Sequence, residues 1–353
     1  MDLTELGWDA ARATAFEPHR LAGFQPARVA HEDKLSYVVV GADGDHPALI
    51  TGRLRHRFRQ DAALPKVGDW VAVAAVPGES KVVIHEVLPR RTVLVRKVTG
   101  KASEAQVIVS NIDTVFVVQA MDSTFSARRI ERFLVMVHEG GARPVVVMNK
   151  LDLCENPEAL IKQVRGLSLD TPVLTVCAKT GKGTGLLREH LGPGRTAVFV
   201  GTSGVGKSSL INRLMGEKVE MTLQVREKDS KGRHATTWRE IHPVPSGGLV
   251  IDTPGMREFQ LWFADEGLDE AFPDIAQLGV GCRFRDCTHA TEPGCAVQDA
   301  LGVGRLPRVR YDSFQKLRQE LIQVVIARRN GRRSDNGRPV PGRPEAWDDG
   351  GDA

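Results

Sequence analysis

Gly201-Thr202-Ser203-Gly204-Val205-Gly206-Lys207-Ser208, with Ser209 behind it, is the stretch whose reading decides the fold. It matches the spacing G-x4-G-K-[ST], and its flanks give the match its meaning. Before it runs TAVFV, residues 196–200, an apolar strand. After it comes SSLINRLM, residues 208–215, a helix pattern. Glycines in such a loop let backbone N–H groups wrap phosphates, and the helix N-terminus adds favourable partial charge. Lys207 then reaches the β and γ phosphates while the Ser208 hydroxyl ligates Mg²⁺. The whole stretch 201–209 is expected to hold a nucleotide.

Outward from this loop, apolar runs DTVFVVQAM (113–121), PVVVMN (144–149), PVLTVCA (172–178) and GLVIDTPG (248–255) alternate with helical stretches at 126–140 and 207–216. Buried parallel strands read as such continuous runs, so the pattern predicts a doubly wound α/β domain. Three of the runs end in further motifs. Asn149-Lys150-Leu151-Asp152 matches N-K-x-D, in which the Asp152 carboxylate accepts from guanine N1–H and the 2-amino group. Cys177-Ala178-Lys179 resembles S-A-K, whose backbone N–H meets guanine O6. Asp252-Thr253-Pro254-Gly255 resembles D-x-x-G, with Asp252 near Mg²⁺ and the Gly255 N–H near the γ-phosphate. Asn149, Asp152 and the CAK element disfavour a P-loop kinase or ATPase.

The order of these motifs is rotated. Ordinary GTPases place the P-loop first, then the switch Thr, D-x-x-G, N-K-x-D and S-A-K. Here NKLD and CAK precede the P-loop, and a Thr pair (Thr236, Thr237) and DTPG follow it. This is a circular permutation, tolerable because domain termini commonly lie close together. The chain resembles the circularly permuted GTPases, and within them the ribosome-small-subunit-dependent GTPase family (RsgA/YjeQ type). The resemblance implies GTP hydrolysis to GDP during late maturation of the 30S subunit, with 16S rRNA as partner.

Two flanking pieces fit that placement. Short β-rich runs between about Val29 and Lys97, the last of them TVLVRK, are punctuated by turns such as 41–44, 65–69 and 77–78. Five or six closely spaced strands predict a small antiparallel barrel of OB type, which the resemblance also implies. Further on, Cys282-x4-Cys287-x-His289-x5-Cys295 gathers three thiols and an imidazole. Four protein ligands suit one closed, structural Zn²⁺ site with no open catalytic position. Cys154 and Cys177 stand apart and need no metal. Tyr311, Phe314, Leu317, Leu321 and Val324 form one helical face. The expected domains are therefore 1–101 (N-terminal segment and barrel), 102–263 (permuted GTPase), 264–329 (zinc module with helix) and 330–353, a Gly/Pro/Arg-rich disordered tail.

Charge and composition sharpen the partner class. The net charge is only +4, yet residues 51–100 hold ten Lys and Arg against four Asp and Glu, and 305–343 hold eleven against three. Basic segments at both ends point to a polyanion. Arg53, Arg55, Arg57 and Arg59, read as an Arg-rich barrel loop, are the expected RNA contacts. Five cysteines, no secretory start and no apolar run of about 20 residues predict a cytoplasmic protein without a membrane segment, taken as a monomer.

Departures from the family pattern concern catalysis. The switch reads Gly232-Arg233-His234-Ala235-Thr236-Thr237, where the family has G-x-H-T-T. Ala235 leaves two candidates to cap Mg²⁺, Thr236 first and Thr237 next. Met256 follows DTPG where many GTPases carry a water-orienting Gln, so unaided hydrolysis is expected to be slow. His234 is the expected substitute, because an imidazole can position water. The alternative is a guanine-nucleotide-controlled RNA-binding scaffold whose hydrolysis is incidental.

Overall fold

The computed structural model describes residues 2–33, 36–57, 64–97, 105–168, 170–216, 239–252 and 266–334. After a helix, Ala10–Leu21, come β1 (Gln25–Asp33), β2 (Ser36–Gly41), β3 (Gly44–Ile50), β4 (Trp70–Ala75) and β5 (Val82–Val87). β1 to β3 form a meander, β3 lies parallel to β5, β5 is antiparallel to β4, and β4 returns to β1. The circuit is a closed five-stranded barrel, filled by inward residues such as Val29, Tyr37, Val39, Val71 and Ile84.

Closure uses both edges of the barrel sheet, apart from the end of β1 beyond its pairing with β4. The run expected last in the barrel instead becomes β6 (Val93–Lys97), which pairs with β7 (Ala105–Ser110) in a separate ribbon. The arginine segment also differs from expectation. It is not a loop but the helix Gly52–Arg57, started where Thr51 Oγ1 accepts from Leu54 N–H at 3.0 Å. Leu54 enters the barrel core, and exposed Arg53 and Arg55 flank it. Arg57 lies on the same helix, whereas Arg59 lies outside the described residues.

The α/β domain follows, with β8 (Thr114–Ala120), β9 (Arg143–Asn149), β10 (Val173–Thr175), β11 (Thr196–Val200), β12 (Arg239–Pro243) and β13 (Leu249–Asp252). Strands 10, 9, 8, 11 and 13 lie parallel in that spatial order. The chain steps outward from β8 to β10, then crosses back to set β11 on the other flank of β8. That reversal is a topological switch point, the place where such sheets hold ligands. One face packs Val115 and Val117 with Ile130, Phe133 and Leu134 of the helix Ala127–Glu139. The other packs Phe116, Val118 and Phe199 with Leu210, Ile211 and Leu214 of the helix Lys207–Met215. The polar sequence REIHP hid β12, which is antiparallel to β13 and pairs His31↔Glu240 and Glu32↔Arg239 with β1. Barrel and parallel strands thereby form one eleven-stranded sheet.

Helices Glu266–Ala271, Pro273–Gly279, Ala296–Gly302 and Arg308–Ser334 complete the described chain. Tyr311, Phe314, Leu317 and Leu321 are buried as one stripe, in the same core as Phe133 and Val137. The last helix continues to Ser334, so the first residues of the expected tail are helical, and 335–353 lie outside the described residues. Arg310 ties this region to the helix Ala127–Glu139. Its guanidinium donates to Glu131 (2.9 Å), to both oxygens of Asp274 (2.8 and 3.1 Å) and to Ala271 O (3.0 Å). It also lies 4.0 Å from the Phe272 ring centre. Removing one partner of a buried ion pair strands the other, so Arg310→Ala should cost about 3–5 kcal/mol in urea unfolding. Arg310→Lys should recover only part of that, because an ammonium lacks the planar fork. A loss below about 1 kcal/mol would show the pair to be dispensable.

Candidate nucleotide site and metal centre

β11 runs out at Val200 and the chain turns through Gly201, Gly204 and Gly206, all at positive φ. Two of these are required by contact as well as conformation. A Cβ on Gly201 would stand 2.4 Å from Val118 O, and one on Gly206 would stand 2.2 Å from Asn149 Nδ2. Gly206 at φ 99° then starts the helix Lys207–Met215, aiming its first N–H groups back over the loop. Lys207 Nζ donates to Gly201 O (2.8 Å) and Thr202 O (2.9 Å), along the rim of the cradle. Ser208 and Ser209 are exposed beside it. Asp252 ends β13, the strand parallel to β11.

Asn149 is the keystone of the neighbouring loops. It is 1% exposed at the end of β9, its Nδ2 donating to Val205 O (2.8 Å) and its Oδ1 accepting from Ala178 N–H (3.0 Å). One side chain thus joins NKLD, CAK and the P-loop. Lys150 takes a left-handed φ of 64°, and its ammonium meets Asp122 at 2.9 Å. The Thr124 hydroxyl and Lys150 together hold the Asp122 carboxyl down at about 2. Asp152 Oδ1 accepts from the Cys177 thiol at 3.1 Å, and Lys179 Nζ lies 4.0 Å from its other oxygen. Arg213, from the P-loop helix, donates to Ala178 O (3.0 Å) and Lys179 O (2.8 Å). His234, Thr236, Thr237 and Gly255 lie outside the described residues.

Cys282, Cys287, His289 and Cys295 place their ligand atoms within 4.8 Å of one another. His289 Nδ1 is 3.4 Å from Cys282 Sγ and 3.5 Å from Cys295 Sγ, and these two sulfurs are 3.8 Å apart. Ligands at 2.1–2.3 Å from a tetrahedral Zn²⁺ stand roughly 3.5–3.8 Å from each other, so the donor set and its spacing fit that ion. Nδ1 is the nitrogen turned to the sulfurs. The left-handed His289 (φ 59°) is fixed through its carbonyl, which accepts from Tyr311 OH (2.8 Å) and Gln298 Nε2 (2.6 Å).

A sequence profile of the RsgA GTPase matches residues 87–262. The small ribosomal subunit biogenesis GTPase RsgA of Opitutus terrae is 47% identical over 338 residues, covering 93% of this chain and 92% of its own. Its namesake from Syntrophotalea carbinolica is 40% identical, covering 92% and 91%. The chain belongs to the RsgA GTPase family. YjeQ from Thermotoga maritima superposes with a TM-score of 0.63 at 27% identity, over 85% of this chain and 99% of that one. YloQ, a circularly permuted GTPase, gives 0.61 at 25% over 85% and 95%. The permuted fold expected from motif order is therefore the observed one, with its barrel and its Cys₃His cluster.

RsgA-type motifs were legible, but their supports were not. Arg213 and Asp122 carry no motif, although a basic residue six positions after Lys207 on a polar helix stripe is a signal of sorts. Asn149→Ala should leave Val205 O and the Ala178 N–H without partners, costing about 1–3 kcal/mol in urea unfolding of the nucleotide-free protein. A change below about 0.5 kcal/mol would mean that the three loops hold their places without it.

Proposed function

We propose that this chain is a GTPase of small-subunit biogenesis that binds the 30S particle through 16S rRNA and converts GTP to GDP and phosphate there. Family membership supports the activity. The observation that carries the guanine reading is Asn149, which brings the NKLD and CAK loops to the edge of the P-loop. Asp152, steadied by the Cys177 thiol, accepts from guanine N1–H and the 2-amino group. The Ala178 N–H is committed to Asn149, which leaves the Lys179 N–H to meet guanine O6. Lys150 flanks the base. The backbone of 201–206 and the Lys207 ammonium take the phosphates. Ser208 and Thr236 (or Thr237), with Asp252 near them, would hold Mg²⁺, which when bound would neutralise charge on the transferring phosphoryl group. Gly255 offers its N–H to the γ-phosphate, and His234 positions the attacking water.

Barrel arginines 53, 55, 57 and 59 contact rRNA phosphates in this reading, Arg53 and Arg55 from opposite sides of Leu54. The protein works as a cytoplasmic monomer, in the three domains and tail set out from the sequence. Among the described residues no helix is long and apolar enough to cross a membrane. One structural Zn²⁺, bound by Cys282, Cys287, His289 and Cys295, supplies folding energy to a turn-rich segment rather than chemistry.

The direct test is multiple-turnover GTP hydrolysis measured alone and with purified 30S subunits. Turnover should be slow alone and accelerate at least tenfold with subunits; equal rates would leave only nucleotide-controlled binding. Asp152→Asn exchanges an acceptor for a donor, so affinity should fall for GTP and rise for xanthosine triphosphate. Unchanged GTP affinity would remove Asp152 from the base site. Metal analysis should find one zinc per chain in the wild type and none in the Cys282→Ala/Cys295→Ala variant, which should also melt at lower temperature. Zinc retained in that variant would place it elsewhere.

A further inference from the structure

A second cationic cavity, of about 380 Å³, opens at the far end of the sheet from the nucleotide loops. Its walls include Asp113 and Thr196, at the N-terminal ends of β8 and β11, whereas the P-loop follows the C-terminal end of β11. Five guanidiniums line it: Arg12, Arg28, Arg91, Arg143 and Arg195. They come from the first helix, the barrel, the chain just before β6, and β9 and β11 or their approaches. Two carboxylates answer them, and neither is free. Asp9 binds Arg12 (2.9 Å) and Arg91, while Asp113 Oδ2 accepts from Thr196 N–H at 2.7 Å.

The remaining positive charge is unmatched. Arg28 is fully buried and donates only to neutral oxygens: Leu6 O, Gly68 O, Asn111 O and Thr196 Oγ1. Among the described residues, the Arg143 and Arg195 side chains make no ion pair or hydrogen bond, and both are exposed. Arg12 and Arg28 both sit against Trp70, 6.0 and 5.7 Å from its ring centre. Burial and then repulsion from Arg12 push Arg28 down to about 9, against a smaller opposing pull from Asp113 and Asp69. The cavity is also preformed. A Cβ on Gly7 would stand 2.6 Å from Gly194 O, and one on Gly194 would stand 2.6 Å from Thr4 O, so the two walls are in backbone contact.

We propose that this cavity is a second anion site, distinct from the P-loop, which takes a phosphate or pyrophosphate group. Guanidinium forks match tetrahedral oxyanions, and several converging from different segments recognise one anion better than a surface lysine patch does. The volume is roughly that of a dozen waters, ample for one or two phosphoryl groups. A bound anion would tie the N-terminal helix, the barrel and the parallel sheet together at the junction where Arg28 already joins them.

The test is calorimetric titration of inorganic pyrophosphate into protein whose P-loop is first saturated with GDP, without added magnesium. GDP occupancy is measured separately, so that failure of the guanine reading stays distinguishable from failure of this site. One further pyrophosphate per chain is expected. Arg143→Gln/Arg195→Gln should weaken it at least tenfold while GDP occupancy and melting temperature without pyrophosphate stay unchanged. No binding to GDP-saturated protein, or equal affinity in the double variant, overturns the proposal. Displacement of the pyrophosphate by added 30S subunits would identify the natural occupant as an RNA backbone phosphate. Retention would identify a soluble phosphate ester, and either result supports the site.

Discussion

Everything at the nucleotide end depends on how closely the P-loop backbone approaches its neighbours. Gly201 lies against the carbonyl of Val118 on β8, and Gly206 lies against the amide of Asn149 on β9. Any side chain at either glycine would push the loop off the strand ends, and the loop would lose its curvature. The contacts constrain spatial order, not chain order: β11 must border β8, and β9 must stand next beyond it. A permuted chain satisfies this as well as an unpermuted one. The cost of rearrangement falls on the connections, here a single return from β10 to β11 on the opposite flank of β8.

That distinction also explains what could be read from the residues. The α/β core was legible because buried parallel strands are continuous apolar runs, and every run but DTVFVVQAM ended in a motif with its own chemistry. The barrel was legible as a set of strands, but closure was not. Nothing local in TVLVRK says that β4 has already returned to β1 and that the next strand must find another partner. The Arg53–Arg57 segment was misread for a local reason, since apolar ALIT runs straight into it. The capping Thr51, three residues before Leu54, was the available clue. REIHP escaped notice because its alternation is polar, and it becomes a strand only between two partners.

Supports for the site were hidden by sequence distance. Arg213 reaches carbonyls 35 and 34 residues away, and Asn149 reaches Val205 across 56. Such bonds to backbone leave no mark in residue type at the far end. The Cys₃His cluster shows the opposite case, for its members are close in sequence and chemically distinctive. Even there the sequence could not choose between the ring nitrogens of His289, of which the structure turns Nδ1 to the sulfurs of Cys282 and Cys295.

Two physical connections leave the nucleotide end, and both are short. Asp252 closes β13, whose neighbour β12 pairs Glu240 with Asp252 on one side and with His31 of the barrel on the other. A strand shared in this way cannot slip by one residue without turning its side chains to the wrong face, so it transmits or it breaks. β12 begins directly after the segment that holds Thr236 and Thr237, which places the barrel one strand from residues expected to sense the γ-phosphate. On the other side, the helix Ala127–Glu139 starts at the nucleotide end after β8 and its Glu131 grips Arg310, while the helix Glu266–Ala271 packs along it and Gly267 N–H donates to Glu139 at 3.0 Å at its far end. Motion there would reach the cysteine segment through a buried ion pair rather than through loops. Any free energy by which subunit binding favours one nucleotide state must be returned when that nucleotide binds first. The barrel and the cysteine segment are thus each joined to the nucleotide end by a few bonds, and those bonds are where such coupling would have to be carried.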